Sequence, residues 1–77
     1  MTEAQVRELA HLLPVWERWQ KNGNGEIVAR DREIVDRINR ERGEKPLDHG
    51  CPNCIRRYFV HTMRIVEITI YQKDIEL

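Results

Sequence analysis

The sequence predicts an all-α domain of three helices, the first kinked at Pro14 and the third starting at Cys51-Pro52-Asn53-Cys54. Three observations carry that prediction. Apolar residues recur at three- and four-residue intervals along most of the chain, the spacing of one helix face. Turn-forming residues at Asn22-Gly23-Asn24-Gly25 and from Gly43 to Gly50 divide that pattern into three stretches. Pro52 stands at the head of the third stretch, where a missing backbone N–H costs nothing.

The first stretch opens with Thr2 followed by Gln5, the spacing of a capping box, and Glu3 suits the positive end of a helix dipole. Val6, Leu9, Leu13, Trp16 and Gln20 then form a stripe that Leu12, Val15 and Trp19 widen. Pro14 interrupts it. An interior proline loses a hydrogen bond and clashes with the preceding turn, at about 3 kcal/mol. Because the stripe keeps its phase, the expectation is a kinked helix, or else two short helices with Pro14 opening the second.

The second helix is expected over residues 26 to 42, with Ile27, Ile34, Val35 and Ile38 on one face, Val28 beside them and Gly43 as its C-terminal stop. Glu33 with Arg37 and Asp36 with Arg40 are acid-before-base pairs at i,i+4, each worth a few tenths of a kcal/mol. The third helix takes Cys51 as N-cap and Cys54 in its first turn. It buries Ile55, Phe59, Thr62, Val66 and Ile70, with Tyr58, Met63 and Ile65 alongside. The run from Ile65 to Tyr71 is β-branched enough for a strand, but a lone strand would have no partner, so it is read as helix.

A chain of 77 residues has room for one domain with a modest core, the size at which a metal, a disulfide or a partner often adds stability. Thirteen basic residues balance thirteen acidic ones, so bulk charge supplies no drive toward nucleic acid or an anionic membrane. No apolar run approaches the roughly 20 residues of a membrane span. The polar, acid-bearing start is unlike a secretory signal, and the expected setting is cytoplasmic.

Chemistry, if there is any, centres on the Cys-Pro-Asn-Cys segment, which holds both cysteines. Zinc is one reading. Cys51, Cys54 and His49 have ligand-like spacing, with His11 as a fourth ligand from elsewhere, but zinc wants four ligands and no second spaced pair is present. His61 lies roughly 10 Å farther along a continuous helix, too far to share the ion. A redox dithiol is the second reading, since a thiol at a helix N-terminus near Arg56 and Arg57 is pushed toward the reactive thiolate. Cys-Pro-x-Cys resembles the glutaredoxin and thioredoxin active-site motif. That family sets it after a strand and opposite a later proline; here a loop precedes it and Pro52 is the last proline. The third and weightiest reading is a pair of reduced, inert cysteines packed in a corner, a permanent disulfide being disfavoured in a reducing compartment.

Elsewhere the readings are mostly structural. His11 is expected to pack, and His61 to lie on a helix surface or pack. Trp16 and Trp19 are core anchors first, but a small core has trouble covering both, and an uncovered indole would mark a partner site together with Ile65, Ile68 and the apolar tail to Leu77. Arg56, Arg57 and Arg64 lie near one another and supply the nucleic-acid alternative. Gly23 and Gly25 make no phosphate loop, and no catalytic set stands out.

From Asp36 to Arg57 the chain carries an amphipathic helix, a loop with Lys45-Pro46, and then Gly50-Cys51-Pro52-Asn53-Cys54-Ile55-Arg56. This segment resembles small proteins of bacteriophages and mobile elements of Bacteroidetes that begin a helix with Cys-x-x-Cys-(Ile/Leu)-Arg. The resemblance covers about a third of the chain. It implies a phage or mobile-element origin and no particular activity. The sequence thus points to a non-enzymatic interaction or assembly protein with a protein partner or a second copy of itself. A zinc-stabilised nucleic-acid-binding module and a thiol redox protein are the alternatives.

Overall fold

The computed structural model describes residues 1–23 and 26–76, so only the Asn22-Gly23 half of the expected break is described, where a helix ends with Gly23 as its left-handed cap, and the contact expected of Leu77 lies outside the described residues. The described residues form four helices and no strand: α1 (Glu3–Ala10), α2 (Leu13–Asn22), α3 (Ala29–Glu41) and α4 (Pro52–Lys73).

The three-helix expectation is corrected at Pro14. The chain does not kink there; it breaks. Proline has no N–H to give the Ala10 carbonyl, so α1 stops at Ala10. The His11 and Leu12 amides close tight bonds back to Glu8 and Leu9 at 3.2 and 2.9 Å. Helix α2 then starts afresh with Pro14 in its first turn. The restart changes which residues face inward. Leu12, Val15 and Trp19 are buried, whereas Leu13 and Trp16 are half-buried and Gln20 is exposed.

The caps are local and complete. The Thr2 amide donates to Gln5 Oε1 at 2.9 Å, and the Gln5 amide donates to Thr2 Oγ1 at 3.1 Å, closing the capping box. Helix α3 ends with Gly43 at a φ of 68°, in the left-handed region where glycine has no Cβ to clash. The Glu44 amide reaches back to the Asn39 carbonyl at 2.9 Å and that of Gly43 to Arg40 at 3.1 Å, a Schellman closure. Ile65 to Tyr71 are helical, within α4.

Helix α4 is the spine. Helix α1 packs against α3 and α4, and α2 against α4. At 22 residues, α4 is about 33 Å long, matching the longest dimension of the molecule, 33 Å. Ile55, Phe59, Thr62, Met63 and Val66 form its buried side, against Val6 and Leu9 of α1, Val15 and Trp19 of α2 and Val35 and Ile38 of α3. Phe59 is the hub: Trp16 stacks on it with centroids 5.6 Å apart, Trp19 lies at 6.1 Å and Tyr58 meets it edge-on at 5.9 Å. The radius of gyration, 11.9 Å, is close to the roughly 11.5 Å of a packed chain this long, so one core holds all four helices together.

Neither of the expected ion pairs within α3 forms. Arg37 instead reaches Glu8 across to α1 and Glu41 one turn on, and Asp36 pairs with His49. An exposed i,i+4 pair is worth too little to hold a long side chain that has a tertiary partner. Gln5 donates to Glu41 Oε1 at 3.1 Å, so the start of α1 is tied to the end of α3.

Candidate functional site

Two features of α4 stand out: its first turn and its outward side. The first turn is prepared by the preceding loop. The Gly50 amide donates to Asp48 Oδ1 at 2.9 Å and the Cys51 amide to the Asp48 carbonyl at 3.2 Å, a side-chain-supported turn that delivers Cys51 extended to the N-cap position. Pro52 opens the helix, as the sequence predicts. The Cys51 sulfur then takes the role usually filled by a serine or aspartate oxygen: it accepts the Cys54 amide at 3.2 Å.

Cys51 and Cys54 are joined as a disulfide, with α-carbons 5.2 Å apart. This corrects the expectation of two reduced thiols. The N-cap residue and the third residue of a helix share one turn, which sets their β-carbons side by side within bridging range. The bond closes a loop of only four residues. By loop-closure entropy such a crosslink is worth about 2 kcal/mol at most, against nearly 5 for one spanning 100 residues. The helical turn already holds both residues, so the disulfide adds little to the fold.

The zinc reading is not supported by this arrangement. The two sulfurs are bonded to each other, and His49 turns away to Asp36, its Nε2 lying 2.8 Å from Asp36 Oδ1. His11 is exposed, in the turn between α1 and α2. Among the described residues no group of three or more histidine, cysteine or carboxylate side chains is placed to hold a metal ion. His49 Nδ1 is buried and finds no partner among the described residues.

Cys54 lines a shallow hollow with Lys45, Pro46, Arg57, Tyr58 and His61. Glu44 borders it too, but pairs with Arg42 at 3.3 Å, which leaves the open charge of the hollow positive. The Tyr58 hydroxyl is buried without a partner among the described residues, and that burial pushes its pKa to about 12, so it stays a neutral phenol.

The outward side of α4 runs through Arg57, Val60, His61, Arg64, Ile65, Ile68 and Tyr71, all exposed and all recurring at three- and four-residue spacing opposite Phe59. Ile65, Ile68 and Val60 are 44, 47 and 45% exposed, and Tyr71 is 88% exposed. Glu67, the one carboxylate of α4, lies at the edge of this side. The three arginines do not form one patch. Arg57 and Arg64 face outward, while Arg56 points the other way and donates to the Gly23 carbonyl at the end of α2, at 2.7 Å. Expected partner residues divide similarly. Ile65 and Ile68 are exposed; Trp19 is 5% exposed and belongs to the core, and Trp16 is half-covered by its stacking on Phe59.

Sequence reasoning covered Tyr71 only within the apolar tail from Ile65 to Leu77 and did not single out Val60, though its spacing from Arg64 is the signal that finds it. Nor did it find Lys45 beside Cys54, since eight residues, most of them loop, separate the two and no periodicity relates them. Compared with protein-family models, with curated proteins and with solved structures, the chain matches none.

Proposed function

We propose that this is a non-enzymatic interaction protein whose docking surface is the outward side of α4, and that its partner is a protein presenting an acidic amphipathic helix. One observation carries the reading: a helix spanning the molecule carries large apolar residues on both sides, and only those of one side are buried by the fold. Val60, Ile65, Ile68 and Tyr71 give anchors of the kind that seat in a helical groove. Arg57 and Arg64 among them favour a carboxylate-bearing partner. The same charges disfavour a second copy. A two-fold pairing centred on this side sets Arg64 against its own counterpart, and the expected state alone in solution is a monomer. The sequence likeness around Cys51-Pro52-Asn53-Cys54 suggests a phage or mobile element as the setting.

The nucleic-acid alternative draws on fewer groups than the sequence offers it, since Arg56 is occupied at Gly23. The test is an NMR titration of the full chain with a synthetic amphipathic peptide carrying leucine on one face and glutamate on its flanks. Amide shifts are expected to move from Val60 to Tyr71, and Ile68→Asp is expected to weaken binding at least tenfold. Shifts elsewhere, or equal binding of the same peptide with lysine for glutamate, would sink the reading. A dimer by sedimentation would do so as well.

A further inference from the structure

We propose that Cys51–Cys54 is a redox-active pair that exchanges with small anionic thiols of the glutathione class. The bond ties residues that one helical turn already holds together, so opening it leaves the four helices and their core in place. A crosslink that the fold does not need is free to cycle. The first turn of α4 also prepares the reduced state. The Cys54 amide points at the Cys51 sulfur, 3.2 Å away, and stabilises negative charge there together with the helix dipole. Cys51 is therefore the better leaving group, and Cys54 is the sulfur that is attacked. Access agrees with this assignment. Cys54, not Cys51, lines the hollow with Lys45 and Arg57, whose charges suit the carboxylates of the incoming thiol.

The exchange balances in two steps. The thiolate of one small thiol attacks Cys54 Sγ, forming a mixed disulfide as the Cys51–Cys54 bond breaks and Cys51 leaves as a thiolate. A second small thiolate attacks the outer sulfur of the mixed disulfide, releasing the Cys54 thiolate and the oxidised small-thiol dimer. Two protons, one from each small thiol, end on Cys51 and Cys54. The protein gains two electrons and the two small thiols lose them.

The experiment treats the oxidised full chain with reduced glutathione, quenches with iodoacetamide and sequences the labelled segment by mass spectrometry. The expected early species carries glutathione on Cys54 and the alkyl label on Cys51. Later species carry the alkyl label on both, with the circular dichroism of the helices unchanged. Glutathione is expected to react several-fold faster than neutral 2-mercaptoethanol at equal thiolate concentration, and Lys45→Glu with Arg57→Glu to remove that advantage. Labels in the reverse order, with glutathione on Cys51, would overturn the assignment of Cys54. A bond that opens only in denaturant, or helices that melt as it opens, would make the disulfide structural and end the proposal. None of these outcomes depends on what docks on the outward side of α4.

Discussion

Both sides of α4 carry apolar residues at helical spacing, and those residues have opposite fates. Ile55, Phe59, Met63 and Val66 are buried, whereas Val60, Ile65, Ile68 and Tyr71 face solvent on the same helix. Apolar character alone does not separate the two sets, although Arg57, His61 and Arg64 stand among the outer one. Position does: the inner set belongs to the core cluster shared with α1, α2 and α3, and the outer set lies outside that cluster, on the exposed side. Apolar character at helical spacing therefore establishes that a side is available for burial, and the placement of the other elements decides whether this fold or another molecule covers it.

The sharpest way to break that comparison is a pair of truncations. Phe59→Ala removes the ring on which Trp16, Trp19 and Tyr58 converge and is expected to cost about 3–5 kcal/mol by urea unfolding. Tyr71→Ala, also a large aromatic loss but on the outer side, is expected to stay within about 0.5 kcal/mol. Similar costs for the two would mean that the sides are not as different as their burial.

A smaller effect sharpens the comparison at the end of the helix. Asp74 holds a φ of 50°, which turns the chain so that the Ile75 amide reaches the Ile70 carbonyl and the Ile75 side chain is buried on the inner side. Asp74→Gly relieves a left-handed aspartate and is expected to stabilise by about 0.5–1 kcal/mol in the same assay. A loss instead would show that the aspartate side chain, not the backbone turn, returns Ile75 to the core.

The smallest effect is at the rim between α1 and α3, which closes over the inner side of α4. The hydrogen bond from Gln5, and then the Arg37 guanidinium, hold the Glu41 carboxyl below its ordinary value of 4.5. A carboxyl lowered in the folded state contributes stability that is whole above the unfolded value and is lost as the pH falls through the folded one. Glu41→Gln is therefore expected to be slightly less stable than the parent at neutral pH, with the gap closing under acid. A gap independent of pH would assign the effect to packing. Glu41 is exposed to solvent, so the gap is small and shrinks further in salt.

What the sequence made legible was mostly what short-range chemistry decides. The Thr2–Gln5 box, the Gly43 stop, Cys51 as N-cap with Pro52 behind it, and the helical reading of Ile65 to Tyr71 each follow from neighbouring residues. The misreadings have long-range causes. Whether Pro14 kinks or breaks a helix depends on what packs around Ala10 to Leu13, and the break moved the core from Leu13 and Trp16 toward Leu12, Val15 and Trp19. Arg37 and Asp36 left their expected partners Glu33 and Arg40, and their long-range partners Glu8 and His49 lie 29 and 13 residues away. Of the candidate sites, the position of the cysteine pair was legible and its bond was not, because spacing alone serves metal, thiol and disulfide equally. The outward side of α4 was half legible: Ile65 and Ile68 are apolar in any register, but that they are left over shows only once the inner side is filled.

The clustering of both tryptophans on Phe59 also fixes what light can report about this molecule. Its two indoles, Trp16 and Trp19, sit in one aromatic cluster, and the Trp19 Nε1 is buried without a hydrogen-bond partner among the described residues. Tryptophan emission is thus an optical gauge of the core alone, blue-shifted while the cluster holds and red-shifting when it opens. A molecule seated on the far side of α4 leaves that gauge undisturbed, and quenching of Tyr71 is the signal that would announce it.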